Sequence, residues 1–134
     1  MTAYEPNSYD AFAQHIGIEM LGIQEGRAQA RLRIQDYHLN RHGILHGAVL
    51  FALADLVLAA ASNSYGPAAV SIQATISYLK AISNGVVFAE AEELSRNAVL
   101  GCYAIRISSD TGDLLAVFQG LVYFKKHQPD VHGV

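Results

Sequence analysis

The amino-acid sequence predicts an α+β domain, one enclosed helix with an antiparallel sheet long enough to curl around it. Three observations carry that expectation. Residues 48–63 hold neither Pro nor Gly, are dominated by Ala and Leu and show almost no polar face, as in a helix buried on nearly all sides. Two other segments alternate apolar and polar residues with a period of two, the pattern of strands with one wet face. Turn residues then divide the second half of the chain into strands short enough to pair as hairpins.

Taken in order, Phe12 and Ile16 recur at helical spacing after Ser8, a capping residue, so a short helix over 9–16 opens the chain and packs at an edge. Residues 20–23 are apolar, and Glu25-Gly26 is a turn. Ala28, Ala30, Leu32 and Ile34 next alternate with Arg27, Gln29, Arg31, Arg33 and Gln35. The polar, His-rich stretch 36–45, interrupted by Gly43, is an ordered loop. Ser64-Tyr65-Gly66-Pro67 stops the long helix. Val70, Ile72, Ala74, Ile76 and Tyr78 alternate with Ser71, Gln73, Thr75 and Ser77 in the next half-buried strand. Ser83-Asn84-Gly85 turns into a strand over 86–93, where Glu90 and Glu92 share a face. Arg96-Asn97 and 110–113 bound a strand over 100–108. The last strand, 114–125, is apolar on both faces apart from Gln119 and therefore central. Three consecutive hairpins make the sheet antiparallel, and 127–134 is a frayed tail.

At the usual ~150 residues per domain, 134 residues make one domain, 1–134, with one core and one principal site. A net charge of −3 gives nucleic acid or anionic lipid no broad attraction. The lone Cys102 rules out an internal disulfide and suits a reducing compartment; in its strand it reads as a small buried hydrophobe. The N-terminus lacks the basic start and apolar run of a signal peptide. The longest apolar stretch, 48–61, carries Asp55 and falls short of the ~20 residues of a membrane span. These features describe a soluble, cytoplasmic protein.

Asp55 is the oddest residue in the chain, the single charge between Gly47 and Tyr65. A carboxylate there must be hydrogen-bonded, raised in pKa or open to a cleft. The helix starts at Gly47, where free N–H groups and the positive end of the helix dipole suit an anion or a developing oxyanion. Eight residues at 1.5 Å each separate Gly47 from Asp55 by ~12 Å, too far to act on one carbonyl. Two such helices lying antiparallel across a two-fold axis would bring Gly47 of one subunit opposite Asp55 of the other, giving a homodimer with composite sites.

The run Asn40-Arg-His-Gly-Ile-Leu-His46-Gly47-Ala-Val-Leu-Phe-Ala-Leu-Ala-Asp55, followed by Asn63-Ser-Tyr-Gly66 and Val70-Ser71-Ile-Gln-Ala-Thr-Ile-Ser-Tyr78, resembles the hotdog-fold acyl-CoA thioesterases, particularly the phenylacetic-acid-degradation branch. The resemblance implies a sheet wrapped round the long helix and functional roles for Asn40, His46, Gly47 and Asp55. It matches Ser71 to a strand hydroxyl near the acidic residue in some members. It also implies sites at a dimer interface, often within a dimer of dimers. Two positions depart from the pattern: Ala48 stands where a second glycine is usual, which bears on acyl binding, and Lys80-Ala81 where Arg-Pro or Ser-Pro is frequent.

On that resemblance the expected reaction is hydrolysis of small aromatic or short-to-medium acyl-CoAs. The Gly47 N–H would hold the carbonyl oxygen, Asn40 and His46 would shape the loop, and Asp55 would act as general base or as nucleophile. No cofactor is expected, coenzyme A being part of the substrate, and no G-x-S-x-G occurs. A hydratase or dehydratase on the same fold, or a non-catalytic acyl-CoA binder, are the alternatives. His38, His42 and His46 recur every four residues, but Gly43 and the expected loop argue against a metal site. Arg27, Arg31 and Arg33 read as a solvated face.

Overall fold

Capping decides where the first helix begins. In the computed structural model, which describes residues 10–125, the Asp10 side chain accepts the Ala13 N–H at 2.9 Å and starts α1 (Ala11–Ile16). Gly17, with φ of 87°, ends it in the left-handed conformation that favours glycine. Asp10 therefore takes the capping role expected of Ser8, which lies outside the described residues, as does the expected tail.

Two strands follow, β1 (Ile18–Gln24) and β2 (Arg27–Arg33). A 3-10 turn, Asp36–His38, leads into the loop before α2 (Gly47–Ser62). After a second 3-10 turn, Asn63–Tyr65, come β3 (Ala69–Tyr78), β4 (Val86–Arg96), β5 (Leu100–Ser109) and β6 (Leu114–Phe124). The strands form one antiparallel sheet in the order β1-β2-β4-β5-β6-β3. It curves round α2, which touches every strand, and this is the expected hotdog arrangement.

The pairing of β3 differs from the expected run of hairpins. β3 pairs with β6, and residues 79–85 carry the chain across to β4, which pairs with β2. The cause is α2 itself. A helix laid across the sheet parts the strands before and after it in sequence, and β4, β5 and β6 fill the space between. β6 consequently lies inside the sheet, as its two apolar faces suggest, while β3 is an edge. A bulge between Ser71 and Gln73 breaks its alternation. Ala74 and Ile76 are half-buried, whereas Val70 and Ile72 are exposed.

The core lies between α2 and the concave face of the sheet. Leu50, Leu53, Ala54, Val57, Leu58 and Ala61 of α2 are buried. They meet the short side chains of Ala28, Ala30, Ala89 and Ala91 on β2 and β4, and larger ones such as Tyr103, Ile105 and Phe118 beyond. Small residues on two adjacent strands let the helix sit close to the sheet. On the convex face the expected arginines are exposed, and two of them pair with carboxylates, Arg27 with Glu92 at 3.1 Å and Arg31 with Glu19 at 3.0 Å. Exposed pairs of this kind contribute little to stability. Cys102 also lies on this face and is half-exposed rather than buried.

The long helix is less enclosed than its composition suggests: Ala48, Phe51 and Asp55 form an open stripe along it. Counted through its 3-10 turn, the 19-residue segment Gly47–Tyr65 also has the length and mean hydropathy, 1.6, of a membrane span, with half of that window buried in the domain. Here those apolar residues form the core of the sheet.

At Gly120 the sheet leaves no room for a side chain beside the helix. A Cβ there would stand 2.5 Å from Leu58 Cδ2 and 3.1 Å from Cδ1. Gly120→Ala is expected to overpack this contact and lower the free energy of unfolding by about 1–3 kcal/mol, measured by chemical denaturation.

Candidate active site

The loop before α2 is built from its own polar side chains. Asn40 Oδ1 accepts the N–H groups of His42 (2.9 Å) and Ile44 (3.3 Å), its backbone N–H donates to Ile44 O, and Gly43, with φ of 76°, closes the turn. His38 is buried and anchors the loop to what precedes it. Its Nδ1 accepts the Gln35 N–H at 2.9 Å, and its Nε2 donates to Ile16 O at 2.7 Å, which fixes the neutral tautomer. With both ring nitrogens engaged by backbone, His38 has no lone pair left for a metal. Its carbonyl then accepts the His46 N–H at 2.9 Å.

His46 is the N-cap of α2. Its Nδ1 accepts the Ala48 N–H at 2.9 Å, and its carbonyl accepts those of Val49 (2.9 Å) and Leu50 (3.3 Å). Of the four N–H groups that a helix start leaves over, that of His46 is taken by the His38 carbonyl, that of Ala48 by His46 Nδ1 and that of Val49 by the His46 carbonyl, the Leu50 bond being the first i→i−4 bond of the helix itself. The fourth belongs to Gly47, and no acceptor among the described residues takes it. Two bonds onto the His46 carbonyl polarise the same peptide unit whose N–H is left over. The result is one donor without an acceptor among the described residues, at the positive end of a 16-residue helix.

Gly47, Phe51 and Asp55 succeed one another at intervals of four, so they lie on one side of α2. Phe51 is held edge-on against the buried Phe118, ring centroids 5.1 Å apart. Asp55 is open to solvent as a residue, although its helix was expected to be enclosed, and it makes no hydrogen bond or ion pair among the described residues. Its carboxyl titrates above the usual aspartate value, first because flanking side chains strip part of its hydration and second because Asp10, capping α1, is a like charge nearby. Ala48 is exposed at the head of the same stripe, beside Gly47.

Ser71 is exposed near the start of β3, opposite the buried Val122, and no bond joins its hydroxyl to Asp55. Lys80 pairs with Asp113 at 2.9 Å. The sequence-expected residues thus fall into one group at the head of α2, Asn40, His46, Gly47 and Ala48, with Asp55 two turns along and Ser71 separate. A groove of about 480 Å³ between Arg27, Glu90, Glu92 and Arg106 belongs to the convex face, across the sheet from α2.

Two residues near the site were given no functional role from the sequence. Asp10 fell inside the short helix expected over 9–16. Tyr78 read as one more apolar position in β3, yet its hydroxyl donates to Gly47 O at 3.1 Å.

A family profile described as the thioesterase superfamily matches residues 42–116. Acyl-coenzyme A thioesterase PaaI of Escherichia coli is 34% identical over 112 residues, covering 83% of this chain and 80% of its own. A putative esterase of Archaeoglobus fulgidus is 33% identical over 115 residues, covering 85% and 75%. Among solved structures, the E. coli PaaI protein from the phenylacetic acid degradation operon superposes with a TM-score of 0.87 at 31% identity, covering 90% of this chain and 88% of that one.

The electrostatics of Asp55 set its effect on stability. A carboxyl whose pKa rises on folding disfavours the folded state once it is ionised in both states, and has no such effect when it is neutral in both. Asp55→Asn is therefore expected to melt at a higher temperature than the wild type at pH 7. The difference should shrink as the pH falls through the raised pKa, in thermal unfolding followed by circular dichroism.

Proposed function

Since this chain belongs to the thioesterase superfamily and is a thioester hydrolase, we propose that its substrates are acyl-coenzyme A thioesters carrying small aromatic or short-to-medium acyl groups. The observation that carries the site assignment is the occurrence, along one side of α2, of a Gly47 N–H and an Asp55 carboxylate that both lack a hydrogen-bond partner among the described residues. The acyl preference is supported by the likeness to PaaI and by the apolar surface of that stripe at Ala48 and Phe51.

In this reading the thioester carbonyl oxygen lies at the Gly47 N–H, which strengthens its hydrogen bond as the oxygen becomes an oxyanion. Asn40 and His46 hold the donor in place through the loop turn and the helix cap. Asp55 takes a proton from water or attacks the carbonyl itself. A thiol leaves near its own pKa of ~8.5 and needs little acid assistance, so neither a second protein acid nor a cofactor enters the scheme. Ser71 and Ala48 border the substrate.

Donor and base stand ~12 Å apart along one helix, so the proposal makes the active unit a homodimer in which each site takes Gly47 from one subunit and Asp55 from the other. Support comes from the fold. β3 is a ten-residue edge with unpaired backbone groups and exposed Val70 and Ile72, the kind of edge that accepts another strand. A further pairing of dimers belongs to the same proposal.

Thiol release from a panel of acyl-CoAs tests the reading directly. Asp55→Asn is expected to lower kcat by about 10²–10⁴-fold; a wild type that releases no thiol, or a variant as fast as the wild type, overturns it. The base must be ionised, so kcat/KM should fall as the pH drops through the pKa of Asp55. The midpoint of that limb is expected above 3.8 and should move down in Asp10→Asn, which keeps a capping side chain and removes the like charge.

Ile72→Asp puts a charge on the exposed edge. It is expected to shift sedimentation toward monomer and to lower activity in proportion at low protein concentration. An active monomer would remove the composite site.

A further inference from the structure

We propose that Tyr78 is a positioning residue for hydrolysis, holding the Gly47 N–H in the direction in which it meets the carbonyl oxygen; this rests on the reading of Gly47 as the oxyanion donor. Tyr78 touches Gly47 in two ways. Its hydroxyl donates to Gly47 O at 3.1 Å. Its ring also lies against the glycine so closely that a Cβ there would stand 3.1 Å from Cζ, 3.1 Å from Oη and 3.3 Å from Cε1.

The second contact explains why position 47 is glycine. Six described glycines have positive φ, and Gly47 is not among them. Its backbone conformation is open to any residue, and the space for a side chain is what Tyr78 has taken. Glycine left alone would be the loosest link at the helix start. Here the peptide units on both sides of its Cα are tied. The one before it is held by the His46 carbonyl, which accepts from Val49 and Leu50. The one after it is held at both ends, Ala48 N–H by His46 Nδ1 and Gly47 C=O by Tyr78. Rotation of the Gly47 carbonyl, which would carry its N–H out of line, breaks the hydrogen bond from Tyr78.

The clamp is anchored outside the helix. Tyr78 is the last residue of β3, paired with Ala116, and the two residues after it both donate to Leu115 O, Leu79 at 2.8 Å and Lys80 at 3.2 Å. The direction of the donor is thus referred to the sheet as well as to the loop. Tyr78 remains 53% exposed, so its hydrogen bond adds little to folding. A donor displaced by a fraction of an ångström, by contrast, costs rate.

The test uses Tyr78→Phe, Gly47→Ala and the double variant, with kcat and KM for an acyl-CoA that the wild type hydrolyses and with melting temperatures. Tyr78→Phe is expected to lower kcat about tenfold, with KM changed less than about twofold and the melting temperature nearly unchanged. Gly47→Ala pushes the ring away and breaks the same bond, so adding Tyr78→Phe to it should cost less than about twofold more. Wild-type kcat in Tyr78→Phe, losses that multiply in the double variant, or a fall in kcat matched by a fall in melting temperature each overturn the positioning role. A wild type without thioesterase activity overturns the hydrolase reading and this role with it, whereas an active wild type with an unaffected Tyr78→Phe overturns this role alone.

Discussion

A helix wrapped by its own sheet still has to begin somewhere, and the way this one begins governs the surrounding structure. Four N–H groups at a helix start lack partners within the helix. At α2 the His38 carbonyl takes that of His46, the His46 side chain takes that of Ala48, the His46 carbonyl takes that of Val49, and the last, that of Gly47, has no acceptor among the described residues. Leaving it over is tolerable because Gly47 is only partly buried, whereas an unpaired donor in the core would be costly. The loop is shaped to that end: Asn40 closes a turn round Gly43, and His38 ties the loop to α1 and to Gln35 while lending its carbonyl to His46. The side chains of His38, Asn40 and His46 thus serve as scaffold for one donor.

The same stripe explains the placing of the acid. Every other inward side of α2 is packed against the sheet, and a carboxylate there would face aliphatic side chains with no cation among them. Position 55 is open enough to keep some water and flanked closely enough to lose part of it, and Asp10 adds a like charge. Both effects push the proton affinity up, the direction useful to a base. A partner subunit covering the stripe in the proposed dimer would strip more water and carry the effect further.

Much of the fold is legible in the sequence because it rests on local patterns. Ala and Leu without Gly or Pro marked α2, and alternation marked β2, where Ala28, Ala30 and Leu32 are buried and the arginines between them exposed. Strand order is not local. Nothing within 69–78 says that its partner is 114–124 rather than 86–96, because that follows from where the helix lies. The bulge at Ile72 hides likewise, since alternating letters look the same whether or not one residue is skipped. The helix was expected to be closed all round because Phe51 and Ala48 are apolar, and composition does not tell a core face from a face that awaits a partner.

Legibility of the site follows the same division. Asp55 stood out by physics alone, as one charge in an apolar run. Asn40, His46 and Ser71 stood out only through resemblance, and the structure gives the first two a concrete task in building the loop and the cap. Tyr78 could not stand out, because its meaning lies in a contact across 31 residues with a glycine that has no side chain to advertise the need. That asymmetry is general for backbone donors. The group proposed to polarise the thioester belongs to the main chain, so the sequence records only what surrounds it: a residue too small to obstruct, a cap that consumes the competing N–H, and a ring that removes the freedom glycine would otherwise have. A site of this kind is therefore read from the accounting of N–H groups at the helix start, with side chains as its boundary conditions.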